Sequence, residues 1–118
     1  MRILATLAAL FAAAAVIAGA FGAHALAGRL DARGLELWET ASRYLMYGAL
    51  GALVAAAGGW SYGAASAGFL LAGAAIFSGT VFALALGSPR WFGAITPIGG
   101  TLLIVGFLVL AFGIWRGR

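Results

Sequence analysis

From Ile3 to Leu26 the chain carries no formal charge, and His24 is the only titratable side chain in the run. At about 1.5 Å of helix per residue, such a segment reaches across a hydrocarbon core about 30 Å thick. Arg2, the apolar run and Ala23-His24-Ala25 also fit the outline of a secretory signal with an A-x-A cleavage site. The run is longer than a signal core, so it is read as the first of several spans. Composition supports this: 64% of the 118 residues are hydrophobic and 8% are charged, too few polar groups to cover a water-soluble domain.

Further apolar stretches predict spans at about 44–57, 64–86 and 97–115, in addition to 3–26. No alternating strand pattern is present, and a lipid-exposed backbone must satisfy its own hydrogen bonds, so the expected fold class is all-α. The expectation is an integral membrane four-helix bundle forming one domain over residues 1–118. The second span is short unless its helix begins earlier. Asp31 is placed to cap that beginning. Leu30, Gly34, Leu37, Trp38, Ala41 and Leu45 then recur at helical spacing, with Glu36, Glu39, Thr40 and Arg43 opposite, which predicts an amphipathic interfacial helix over about 31–43 that runs into the second span. Glu39 precedes Arg43 by four residues, the favourable order for an ion pair on one helix face.

Gly58 to Gly63 reads as a tight hairpin loop, and Gly87-Ser88-Pro89-Arg90 as a short turn. Thr96-Pro97 reads as a helix start, since Thr can cap and Pro needs no N–H partner in the first turn. Trp91 and Trp115, about 36 Å apart if helical, suit the two faces of one bilayer; Trp38 is grouped with Trp91, and Trp60 and Tyr62 with Trp115. Gly99, Gly106 and Gly113 recur every seven residues, and Ala15, Gly19 and Ala23 every four, with Gly22 beside them. Both sets are expected to let a neighbouring backbone approach closely.

Several stretches, in order and over nearly the whole chain, match one pattern: GAFGAHAL at the end of the first span, WETASRYLMY at the start of the second, FSGT in the third and RWFGAITPIGG before the fourth. The chain resembles the family called domain of unknown function 423, whose eukaryotic relatives include transmembrane protein 256. The resemblance implies a small, uncharacterised integral membrane protein of about four helices. Where that family often has Tyr-His-Ala-Leu, this chain has Tyr47, Gly48, Ala49 and Leu50, so a two-histidine haem or metal site would lack its second ligand here.

Four crossings would bring His24, Glu39, Arg43, Tyr44, Tyr47 and Thr96 to one membrane end, a candidate polar cluster in which His24 faces the Glu39/Arg43 helix. Each also has a plain structural role available: His24 as an interfacial side chain, Glu39 and Arg43 as an orienting pair, the tyrosines as belt anchors. No catalytic residues are assigned. Enzyme chemistry is disfavoured, because no triad order, phosphate loop or metal-spaced His/carboxylate set occurs and all three acids lie between Asp31 and Glu39. No metal or cofactor is expected. The absence of cysteine removes disulfides and thiolate sites. The net charge of +4 comes from dispersed arginines rather than a basic run, so no nucleic-acid partner is expected.

The partners expected are the lipid bilayer and either further copies of the chain or a larger membrane-protein complex. Two functions stand open. One is a non-enzymatic packing, accessory or assembly component of the membrane. The other is an oligomeric channel or transporter for a proton, small ion or small solute, or a lipid-headgroup binder. Exclusive use of Arg among the cations and the Ala/Gly/Leu-rich bulk point to a GC-rich bacterial genome, and the expected location is the bacterial cytoplasmic (inner) membrane, with four crossings putting both termini on one side. The arginine count on the two sides, Arg2, Arg116 and Arg118 against Arg29, Arg33, Arg43 and Arg90, does not choose that side.

Overall fold

A computed structural model describes residues Met1–Arg118 as four α-helices: α1 (Arg2–His24), α2 (Ala32–Ala57), α3 (Gly63–Ala85) and α4 (Phe92–Arg116). Three of them, α1, α3 and α4, are long and apolar enough to cross a membrane. The fourth, α2, carries Arg33, Glu36, Glu39 and Arg43 in its first half. It is one continuous 26-residue helix, so residues 32–43 do not form a separate element. Residues 41–47 contain neither Gly nor Pro, and nothing there interrupts the helical bonding.

Local chemistry explains the helix ends. Asp31 caps α2 by accepting a 2.7 Å hydrogen bond from the Gly34 N–H. Helix α3 stops where Gly87 adopts φ +96°, with the Gly87 N–H donating to Leu84 O and the Ser88 N–H to Ala83 O. This is the left-handed termination for which glycine is suited. Helix α4 begins five residues before Pro97, not at Thr96-Pro97. Turns in which Phe92, Gly93 and Ala94 donate to Pro89, Arg90 and Trp91 start it, and Pro97 lies inside the helix. Gly93, four residues before Pro97, has no side chain to add to the crowding that the proline ring creates there.

Packing is sequential: α1 lies on α2, α2 on α3 and α3 on α4, while α1 and α4 do not touch. The bundle is therefore an open row of overall extents 49 × 27 × 20 Å. Its shared core is formed chiefly by alanines of α2 and α3 with Leu70, Leu71, Leu103 and Leu110. Met1, the Gly58–Gly63 turn and Arg118 gather at one end, where the Arg118 guanidinium donates to Gly58 O and Ser61 donates to Gly117 O. The turns around His24–Asp31 and Leu86–Trp91 occupy the other end, and Gly34 sits beside Ala85.

The α3–α4 contact is backbone to backbone. A Cβ on Gly99 would strike the Phe77 backbone, one on Gly73 would fall 2.7 Å from Leu103 N, and one on Gly113 would strike the Ser61 carbonyl. At Gly106 it would meet the Leu70 side chain at 2.7 Å. On α2, a side chain at Gly48 would run into Ala74 at 2.6 Å and Leu103 at 3.0 Å. The position where the resembled family often has histidine is thus closed by α3 here.

Helix α1 behaves differently. Only Ala8, Ala15 and Gly22 are buried along it, a seven-residue stripe. The expected four-residue seam through Ala15, Gly19 and Ala23 is not the contact: Gly19 and Ala23 are exposed, and a Cβ on Gly19 would meet nothing within 4 Å. Gly19 lies only about 40° around the helix from Ala15, and it is exposed because α1 and α2 part beside it.

Candidate functional site

Trp38 organises the His24 end. Periodicity places it on the inward face of α2, and there its indole rests on Gly22, where any Cβ would collide with the ring. The indole N–H donates a 2.7 Å hydrogen bond to the Ala18 carbonyl of α1. Phe82 of α3 meets the same ring edge-on at 4.5 Å between centroids, with Phe21 at 6.3 Å. Trp38 is therefore a pin joining three helices, not a belt residue paired with Trp91. Its place in the Leu30-to-Leu45 stripe signalled burial; nothing in the sequence signalled its partners.

Beside this pin, α1 and α2 part to leave an outward-opening cleft of about 450 Å³. One wall is Gly19, Ala23 and Ala27; the other is Leu35, Glu39 and Ser42. The small residues on α1 leave the space that Gly19 had been expected to close. At the rim the Arg43 guanidinium donates to Glu39 Oε1 at 2.6 Å, with both side chains exposed. Ser42 is buried and donates to Trp38 O within its own helix.

The other residues of the expected cluster are dispersed. His24 sits exposed in the last turn of α1, makes no hydrogen bond or ion pair, and does not line the cleft. Tyr44 and Tyr47 meet edge-on at 5.2 Å, and Tyr44 also packs 4.8 Å from Phe77 of α3. Thr96 belongs to the α3–α4 contact: its hydroxyl lies 2.7 Å from that of Thr80, which also reaches Ile76 O at 2.8 Å. At the opposite end, Arg118 stacks 4.9 Å above the Trp60 ring, a cation–π contact the sequence did not signal.

Polar groups between the helices are few and mostly engaged. Ser66, fully buried on α3, donates to Gly106 O of α4 at 3.0 Å. Ser78 has a buried hydroxyl without a partner, beside a smaller apolar cavity of about 210 Å³. No group of three or more His, Cys, Asp or Glu residues stands close enough to hold a metal ion.

Three apolar helices of spanning length and glycine-mediated packing define the class: this is a small helical membrane protein. The family model described as a protein of unknown function, DUF423, matches residues 18–100. The chain belongs to the DUF423 family. It is 48% identical over 113 residues to a UPF0382 membrane protein of Staphylococcus epidermidis, covering 93% of each chain. A UPF0382 membrane protein of Staphylococcus saprophyticus is 45% identical over 119 residues, covering 98% of this chain and 99% of that one. The UPF0382 membrane protein YwdK of Bacillus subtilis is 38% identical over 117 residues, covering 93% and 94%. No solved structure matches the chain.

Proposed function

We propose that the chain is a non-enzymatic packing or assembly component of the bacterial cytoplasmic membrane, crossing it four times with both termini on one side. In this arrangement the 26-residue α2 also crosses, with its charged N-terminal turns towards one membrane face. The observation that carries the proposal is the open row. Helix α1 buries only three of its 23 residues, and Ile3, Leu10, Val16 and Ile17 stand 60–75% exposed on it. At the far edge, Ile98, Ile104 and Leu108 of α4 are 56–64% exposed. Each edge helix is covered on one side, so a neighbouring helix has a ready face on which to pack, and in lipid such contacts rest on close fit rather than on burial from water. The ionisable side chains of α2 are exposed at one end and the hydroxyls of α3 and α4 mostly bond to helix backbone, which supports a packing role over a conducting one.

The cysteine-free chain permits a direct test. Val16→Cys on α1 and Ile104→Cys on α4 are placed singly in the full chain and treated with a short bis-maleimide in native membranes. Crosslinking to a second copy or to a heavier species through one of these faces is expected. Absence of any crosslink at both positions, together with a monomeric mass by light scattering in mild detergent, overturns the proposal.

A further inference from the structure

We infer that the cleft between α1 and α2 holds the headgroup of one aminophospholipid, with its ammonium on Glu39, its phosphate on the neighbouring Arg43 and Gly19 leaving it room. Three observations carry this. The cleft, about 450 Å³, falls within the size range of small-molecule sites. It is amphipathic, with a wall of glycine and alanine facing Glu39, whose carboxylate is held from just outside the lining by the exposed Arg43. It persists because Gly19 presents open space where a larger side chain would fill it, and because Trp38, pinned to Ala18 O and Gly22, holds the two helices at a set separation.

The rim chemistry selects among headgroups. The ion pair engages Oε1 of Glu39 and one terminal nitrogen of Arg43. The second carboxylate oxygen and the remaining guanidinium N–H groups are left to take further partners. A zwitterion complements this pair: a primary ammonium brings three N–H donors to the carboxylate, and a phosphate accepts from the guanidinium. A choline headgroup brings no N–H to donate to the Glu39 carboxylate. A glycerol headgroup adds no cation for Glu39. The site therefore distinguishes phosphatidylethanolamine from phosphatidylcholine and phosphatidylglycerol of the same chain length.

The test uses the full chain, delipidated in detergent and titrated with each of the three lipids, with bound lipid read by native mass spectrometry. Phosphatidylethanolamine is expected to be retained about tenfold or more over the others, a difference of about 1.4 kcal/mol. Glu39→Gln should bring its retention down to that of phosphatidylcholine. Gly19→Leu, which fills the cleft, should lower it about tenfold, while Gly68→Leu, another open position on α3, should leave it unchanged. Glu39 is a surface residue, so its variant reports binding even if Gly19→Leu folds poorly. Equal retention of the three lipids, or an undiminished ethanolamine preference in Glu39→Gln, overturns the inference.

Discussion

The α3–α4 and α1–α2 interfaces use the same small residues to opposite ends. Between α3 and α4, Gly73, Gly99 and Gly106 bring two backbones together, and Ser66 donates across the gap to Gly106 O. Between α1 and α2, Gly22 receives an indole, while Gly19, three residues earlier, faces an open cleft. A glycine in a membrane helix thus marks either a closed seam or a space, and what decides is whether the facing residue is backbone, a large ring or nothing. The first interface is a closed seam; the second, packed along Ala8, Ala15 and Gly22, opens beside Gly19 into a cleft.

The same substitution in both places gives the largest contrast. Gly99→Leu forces a side chain into the Phe77 backbone, which yields only if α3 and α4 separate. The loss should lie at or above the top of the range of about 1–3 kcal/mol usual for overpacking. Gly19→Leu should change stability by less than about 0.5 kcal/mol, as for an exposed site. Thermal or denaturant melts in detergent, followed by circular dichroism, compare the two; similar midpoints would abolish the distinction between seam and space.

A smaller effect isolates the pin. Trp38→Phe keeps an aromatic ring on Gly22 and Phe82 but removes the bond to Ala18 O. It should cost about 0.6–1.7 kcal/mol, from the mean to the maximum measured for hydrogen bonds between membrane helices. The loosening should be local, so protease or hydrogen-exchange protection is expected to fall in α1 and not in α4. Smaller than the pin's effect is that of Ser66→Ala, which removes the hydroxyl donated to Gly106 O and should cost about 0.6 kcal/mol, because glycine contact holds that seam without it. A melt of Ser66→Ala lower than that of Trp38→Phe would reverse the ranking of the two interfaces.

These regions also differ in how much of them the sequence disclosed. The apolar runs of α1, α3 and α4 were legible because spanning length and lack of charge are local properties. So were the Asp31 cap and the Glu39–Arg43 pair, which depend on residues three or four apart. What was not legible depends on helix rotation. Gly19 and Gly22 lie three positions apart in one Gly/Ala-rich segment, and only the direction in which α2 approaches separates the empty position from the packed one. Trp38 showed its face but not its partners, which lie about twenty residues before it and forty-four after, in Ala18 and Phe82. Thr96 looked like a cap because of Pro97; the structure spends its hydroxyl on Thr80 and starts the helix at Phe92. His24 and Thr96 were grouped with Glu39 by membrane end alone, and an end of an open row is too broad for shared depth to imply contact.

The middle position of α2 also bears on how the protein is made. In a four-pass arrangement α2 is the least suited of the helices to leave the insertion machinery for lipid unaided, since Arg33, Glu36, Glu39 and Arg43 oppose partition. It is also the helix on which both α1 and α3 pack. In that arrangement α1 precedes α2 in the chain and carries Gly22 and the Ala18 carbonyl, the two groups that Trp38 meets. The indole can then act as a capture point for an indecisive segment, and a lesion at Trp38 or Gly22 would first be felt as misoriented or degraded nascent chains.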